Sequence, residues 1–226
     1  MEHQLEVVPD ATTLATRAAA FVAERARTSV AGHGRFTFAV SGGKTPWAMF
    51  AELANHQVPW SAVQIFQVDE RVAPEGDPDR NLTNLRESLG HADPEVIAMP
   101  VEDADLEAAA AAYGKRLPDH FDLVHLGLGP DGHTASLVPG DPVLKVTDRL
   151  VAVTQPYQGH RRMTLTYLAL ARAEQVLWLI SGEDKREALA KLLAGDQSIP
   201  AGRVEAKHSM ILADAAAAPE AGLKAQ

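Results

Sequence analysis

Cysteine is absent from the 226-residue sequence, so a disulfide framework, a thiolate zinc site and a cysteine nucleophile are all excluded. No apolar run approaches the roughly 18 residues that a membrane-spanning helix requires. The N-terminal residues lack the basic region followed by an apolar run that marks a secretory signal. These absences lead us to expect a cytoplasmic protein that has no membrane partner.

Basic residues are in the minority, with 21 Lys and Arg against 30 Asp and Glu, which gives a formal net charge of −9. A net negative surface disfavours non-specific binding to the phosphates of nucleic acids, so we expect no nucleic-acid partner. A small anionic substrate is compatible with this charge, because a few local cations and backbone N–H groups are enough to bind one phosphate. Neither composition nor patterning indicates an oligomeric state.

Helical and β-rich patterns alternate along the chain. We predict helices over residues 10–30, 45–55, 81–89, 104–117 and 183–193. We predict strands over residues 35–40, 63–68, 121–126, 150–153, 162–165, 175–181 and 207–212. This alternation is typical of a mainly parallel sheet covered by helices on both faces, which we interpret as one α/β domain over residues 1–226. The alanine-rich tail, from about residue 215 to 226, is predicted to fray.

Four segments that contain side chains suited to binding or catalysis follow predicted strands. They are at residues 41–45, 69–71, 127–134 and 181–185. In open α/β sheets the loops at the carboxyl ends of the strands form the ligand crevice. We therefore expect these segments to meet in one site.

The first segment combines Ser41, two glycines and a helix start at Thr45. Gly42 and Gly43 let backbone N–H groups approach an anion, and the helix N-terminus adds a partial positive charge. The segment is not a P-loop, because that pattern requires a glycine where this chain has Phe38. We interpret it as a cradle for a phosphate or carboxylate, and a plain glycine turn is the alternative.

The second segment places Asp69, Glu70 and Arg71 at a strand end. Alternation along a strand points Asp69 and Arg71 to the same side. The guanidinium of Arg71 suits bidentate binding of a phosphate. The alternative interpretation is a solvated cluster in which the charges only pair with each other.

The third segment, residues 126–136, surrounds His133 with glycines, hydroxyl groups and an acid. Histidine is the side chain best suited to proton transfer near neutral pH. Asp131 is in position to orient the imidazole or to bind a substrate hydroxyl. His125, in the middle of a predicted strand, is more typical of a packed histidine.

The last candidates are cations. Arg162 belongs to an arginine pair beside a strand, which indicates either an anion site or a solvated edge. Lys185 falls in the first turn of a predicted helix, where a cation is unfavourable, so either an anion compensates it or it is a solvated surface lysine. No His-x-x-x-His spacing or nucleophile elbow is present, and we predict no metal and no cofactor.

In this order the segments resemble those of the 6-phosphogluconolactonases of the pentose phosphate pathway, from about Phe36 to Arg203. The most specific part is residues 126–137, with Asn81, residues 162–166, Gly182 and residues 200–204 as further matches. Glucosamine-6-phosphate deaminases share the Asp-Gly-His core, but the continuation at residues 134–137 (Thr-Ala-Ser-Leu) favours the lactonases. The chain departs from the usual pattern at Ala73, Arg80 and Val138.

The resemblance implies a three-layer α/β/α fold with a mainly parallel, Rossmann-like sheet, similar to the deaminase and ribose-5-phosphate isomerase superfamily. It implies hydrolysis of 6-phospho-D-glucono-1,5-lactone, a small sugar-phosphate substrate, with His133 as the general base. Asp69 and Asp131 would orient the sugar or the imidazole, and the phosphate would be held by Ser41, Gly42, Gly43, Thr45, Arg71, Arg162 and Lys185. The alternatives are an amino-sugar-phosphate deaminase and a sugar-phosphate-binding regulator; the pairing of His133 with Asp131 weighs against the regulator.

Overall fold

A seven-stranded parallel sheet forms the centre of the computed structural model, which describes residues 2–219. Its strands, in spatial order, are β1 (His3–Val8), β10 (His208–Asp214), β9 (Gln175–Ile180), β6 (Leu123–Leu126), β2 (Phe36–Val40), β3 (Val63–Gln67) and β5 (Glu95–Ile97). All of these pairings are parallel, as the alternating sequence pattern predicts.

Helices pack on both faces of this sheet. They are α1 (Ala11–His33), α2 (Lys44–Leu53), α3 (Asn81–Leu89), α4 (Leu106–Arg116), α5 (Tyr167–Leu170) and α6 (Arg186–Leu193). One hydrophobic cluster packs α1, α2 and α3 against the sheet, and a second cluster packs α4, α5 and α6 against the opposite face. The three-layer α/β/α prediction is confirmed.

The start of α1 shows how the sequence sets an element boundary. Asp10 caps the helix by accepting a hydrogen bond from the Thr13 N–H at 2.8 Å. The helix ends at Gly34, whose φ of +84° suits a residue without a side chain. The predicted start is confirmed, and the helix runs three residues beyond the predicted end at residue 30.

A second sheet is the main departure from the prediction. It contains β4 (Asp69–Arg71), β8 (Arg162–Leu165) and β7 (Val151–Val153), all antiparallel. Strands β7 and β8 were predicted, but not their separation from the main sheet, because β-rich composition does not specify a partner strand. Strand β1 was not predicted, because its polar and charged residues give no clean apolar pattern.

One further prediction needs correction. The predicted helix over residues 183–193 is a 3₁₀ turn (Glu183–Lys185) followed by α6, so Lys185 precedes the α-helix proper. Fraying of the tail from residue 215 stays a prediction; the Asp214 carboxylate and carbonyl accept the Ala217 N–H, and Ala217 and Ala218 are buried. The rest of the predicted tail, residues 220–226, lies outside the described residues. No helix within residues 2–219 has the length and apolarity to span a membrane.

The sheet order brings the predicted segments together. Strands β9, β6, β2 and β3 are neighbours and parallel, so the loops that follow them leave the same edge of the sheet. The chain order reverses between β6 and β2, which makes this edge a topological switch point where α/β folds bind ligands.

Candidate active site

A cavity of about 600 Å³ opens at this switch point. All but one of the predicted site residues line it. These are Ser41, Gly42, Gly43, Thr45, Asp69, Arg71, His133, Arg162 and Lys185. The exception, Asp131, lies behind His133 and contacts its ring. The structure therefore brings together residues that are up to about 140 positions apart in the sequence.

The His133 imidazole is fixed by Asp131. Its Nδ1 lies 2.6 Å from Asp131 Oδ1, and the same oxygen accepts the His133 backbone N–H at 3.1 Å. Partial burial acts to raise the pKa of Asp131, but the hydrogen bonds from His133 outweigh it and the pKa is lowered. An ionised carboxylate can only accept, so Nδ1 is the donor, and in the neutral form of this tautomer Nε2 has the lone pair. This geometry favours the orienting role for Asp131.

Glycine at position 129 makes room for that pair. A Cβ atom at Gly129 would overlap the Nδ1 and Cε1 atoms of the His133 ring. The Gly129 N–H also donates to the His133 carbonyl at 2.8 Å, which closes the loop on itself. A glycine of this glycine-rich loop therefore leaves the space that the imidazole occupies.

After His133 the chain turns sharply towards Asp69. Leu137 N–H donates to the Thr134 carbonyl at 2.9 Å, and Ala135 has a φ of +50°. A non-glycine residue in this left-handed region costs roughly 1 kcal/mol. The turn places the Ser136 hydroxyl 2.6 Å from Asp69 Oδ2.

Asp69 faces the cavity as a buried carboxyl group. Burial raises its pKa, and the Ser136 hydrogen bond and the charges of Arg71 and Arg162 only partly oppose this effect. The predicted alternation is confirmed, because Asp69 and Arg71 line the cavity while Glu70 points away from it.

Two arginines form the positive part of the cavity. Arg71 and Arg162 are directly opposite each other in the antiparallel pairing of β4 with β8. Like charges at such positions are unfavourable unless an anion lies between them. The Nε atoms of both are buried and have no hydrogen-bond partner among the described residues. Burial lowers the pKa of Arg162. The charge of Asp69 opposes this decrease, and the charge of Arg71 adds to it. The pair is suited to binding a dianion such as phosphate.

The glycine segment after β2 leads into an uncapped helix. Gly43 occupies the N-cap of α2 with a φ of +134°, and no side chain caps the helix within the described residues. Gly42 is in contact with the Asn81 side chain, where a Cβ would overlap the amide oxygen. The N–H groups of the first turn of α2 are thus available to an anion, as the cradle interpretation predicts.

Lys44 and Lys185 are further cations that line the cavity, and Lys185 is already paired. Its Nζ lies 3.0 Å from Asp184 Oδ2, so the compensating anion is a neighbouring side chain.

His125 is buried in β6, and burial lowers its pKa to about 3. Its prediction as a packed residue is confirmed.

The roles of Glu70 and Asn81 were not predicted from the sequence. The buried Glu70 carboxylate accepts the N–H groups of Asn81 and Leu82, both at 2.8 Å, and so anchors the start of α3. Asn81 lines the cavity and donates to the Asp69 carbonyl at 2.9 Å. Asn81 is one of the residues that carry the family resemblance, and this was the sequence signal that could have identified it as a site residue. Residues 2–219 contain no cluster of three or more His, Asp or Glu side chains placed to hold a metal ion.

Comparison with known proteins agrees with this geometry. Residues 9–213 match the profile of the Glucosamine-6-phosphate isomerases/6-phosphogluconolactonase family. The chain belongs to this family. A relative from Nostoc sp., named 6-phosphogluconolactonase, is 34% identical over 97% of this chain and 99% of its own length.

Solved structures give the same relationship. A 6-phosphogluconolactonase from Shewanella baltica OS155 superposes with a TM-score of 0.86 at 26% identity and covers 95% of this chain and 98% of that one. A monomeric glucosamine-6-phosphate deaminase has a TM-score of 0.81 at 19% identity, over 96% and 98% of the two chains, and shares the fold.

Proposed function

We propose that this chain hydrolyses 6-phospho-D-glucono-1,5-lactone to 6-phospho-D-gluconate, as a step of the oxidative pentose phosphate pathway. The observation that carries the proposal is that one cavity contains both a histidine hydrogen-bonded to a carboxylate and a pair of facing arginines. The relatives from Nostoc sp. and S. baltica, both named for this activity, support it. The cytoplasmic location stays a prediction.

The arginine pair would bind the 6-phosphate. The two guanidinium groups supply paired donors whose buried Nε atoms lack partners among residues 2–219. Further donors that line the same cavity are the Lys185 ammonium, the Ser41 hydroxyl and the backbone of Gly42, Gly43 and Thr45. Binding there fixes one end of the substrate and leaves the lactone to be positioned by the rest of the site.

His133 would act as the general base. Because Nδ1 donates to Asp131, the Nε2 lone pair is free to take a proton from a water molecule as that water attacks the lactone carbonyl. The imidazolium then returns the proton to the ring oxygen as the C1–O bond breaks, and this oxygen becomes the C5 hydroxyl. Asp69 would orient the sugar hydroxyls. A δ-lactone is an activated ester, so this scheme needs no metal and no covalent intermediate.

The test is an assay of the hydrolysis of freshly generated 6-phosphogluconolactone. The 6-phosphogluconate that forms is detected by coupling it to its oxidation, and the rate of spontaneous hydrolysis is subtracted. We expect turnover above background, and a much lower kcat/KM for the same lactone without its phosphate. Ammonia release from glucosamine 6-phosphate would indicate the deaminase instead. Tight binding of sugar phosphates with no turnover of either compound would indicate a binding protein.

A further inference from the structure

One aromatic ring contacts both the proposed base and one of the proposed phosphate-binding residues. The Tyr157 ring, in the loop between β7 and β8, has its centroid 5.6 Å from that of His133 at an interplanar angle of 67°. The Arg162 Cζ atom lies 5.0 Å from the same Tyr157 centroid. We propose that Tyr157 is a positioning residue that holds the His133 imidazole and the Arg162 guanidinium in their working orientations. This inference rests on the proposed function.

Arg162 has few other constraints on its side chain. Its Nη2 makes two long contacts, to the Tyr157 carbonyl at 3.4 Å and to Gln158 Oε1 at 3.3 Å. Its Nε has no hydrogen-bond partner among the described residues. A guanidinium over the face of an aromatic ring is attracted by the π electrons without using its N–H donors. The ring therefore orients Arg162 and leaves its donors free for an anion.

His133 needs a second contact for a different reason. The hydrogen bond to Asp131 holds the imidazole at Nδ1 only, which is one edge of the ring. An edge-to-face contact with an aromatic ring adds a second constraint on its position.

The loop itself is anchored to the second arginine. The Tyr157 N–H donates to the His160 carbonyl at 2.9 Å, and His160 Nε2 lies 3.1 Å from Asp79 Oδ2. The Asp79 carbonyl in turn accepts a hydrogen bond from Arg71 at 2.5 Å. One loop thus contacts His133 and Arg162 directly and is linked to Arg71 through Asp79. Tyr157 itself is not among the residues that line the cavity.

The experiment compares Tyr157→Leu, which removes the ring, with Tyr157→Phe, which keeps it. Gln155→Ala is the matched control, because Gln155 is an exposed residue of the same loop. For Tyr157→Leu we expect kcat to fall about tenfold and KM to rise several-fold, since small misplacements of reacting groups have large effects on rate. Phenylalanine should restore most of both losses.

A background test separates positioning from general destabilisation. In an Arg162→Gln background, Tyr157→Leu should raise KM no further but should still lower kcat. The Kd of 6-phosphogluconate, measured by calorimetry, should rise in Tyr157→Leu and not in Tyr157→Phe. If the wild type fails to hydrolyse the lactone, the proposed function fails, and this Kd pattern still tests the arginine half of the inference.

Three results would overturn the inference while leaving the proposed function intact. One is a Tyr157→Leu variant with kcat and KM both close to those of the wild type. Another is a Phe variant as impaired as the Leu variant, because the hydroxyl rather than the ring would then matter. The third is an undiminished effect on KM in the Arg162→Gln background.

Discussion

The His133 ring depends on the absence of a single side chain, that of residue 129. The ring lies against the main chain at Gly129, where a Cβ would overlap Nδ1, Cε1 and the Asp131 carboxylate. Any side chain at this position must displace the imidazole or break its hydrogen bond to Asp131. The glycine therefore determines where the imidazole can lie, and it is more than a turn residue.

We predict that Gly129→Ala lowers kcat by about 100-fold or more, because displacing a catalytic group by about 1 Å has an effect of this size. The folded state should be largely retained. Gly32→Ala is the control, since a Cβ at Gly32 in α1 meets nothing within 4 Å. Steady-state kinetics and a thermal melt measure the two effects. A Gly129→Ala enzyme with wild-type kcat would mean that the His133 position is not critical.

At the scale of elements, the pairing of β4 with β8 creates the site. Its register sets Arg71 opposite Arg162 and Asp69 opposite Thr164. The same short strand sends Glu70 in the other direction, where its carboxylate binds the first N–H groups of α3. A carboxylate at a helix N-terminus is favoured by both hydrogen bonding and the helix dipole. Strand β4 thus connects the cavity to the helix that carries Asn81.

We predict that Glu70→Gln lowers the free energy of unfolding by about 3 kcal/mol, because buried N–H groups and Arg80 lose their charged acceptor. Glu75→Gln is the control, since the Glu75 side chain is 77% exposed. Urea unfolding of both variants measures the difference. A loss below about 1 kcal/mol for Glu70→Gln would show that α3 is anchored by other contacts.

Much of this arrangement was predictable from local sequence patterns. The strands that end at Val40 and Leu126, and the rule that ligands bind at such ends, identified most of the cavity. Alternation correctly placed Asp69 and Arg71 on one side. The antiparallel sheet was not predictable, because the pairing of β4 with β8 joins segments about 90 residues apart. The role of Glu70 was missed for the same reason, since its partners lie in another element.

At the scale of the whole molecule, charge is distributed unevenly. The chain has a formal net charge of −9, yet two arginines and two lysines line the cavity. The interior also holds one neutral imidazole, because His125 is fully buried in β6 at the centre of the sheet and accepts the Ser41 N–H at 3.3 Å. Burial lowers the pKa of His125 to about 3.

This buried histidine predicts a pH dependence of stability. Since the pKa of His125 is lower in the folded chain than the ordinary value near 6.5, the unfolded chain binds a proton first as the pH falls. Stability is therefore complete above about pH 6.5 and decreases below it, by up to about 1.4 kcal/mol per pH unit from this residue. In His125→Gln the unfolding free energy, measured between pH 7 and pH 4.5, should decrease less steeply. Equal slopes in both proteins would contradict the assignment.

We propose that one cavity keeps a catalytic group, His133, apart from a phosphate-binding group, Arg71. The most direct measurement is the lactone assay, corrected for spontaneous hydrolysis, on His133→Ala and Arg71→Ala, with His91→Ala as an exposed-histidine control. We predict that His133→Ala lowers kcat at least about 100-fold with little change in KM. Arg71→Ala should mainly raise KM, about tenfold or more. Near-normal turnover by His133→Ala would contradict the claim.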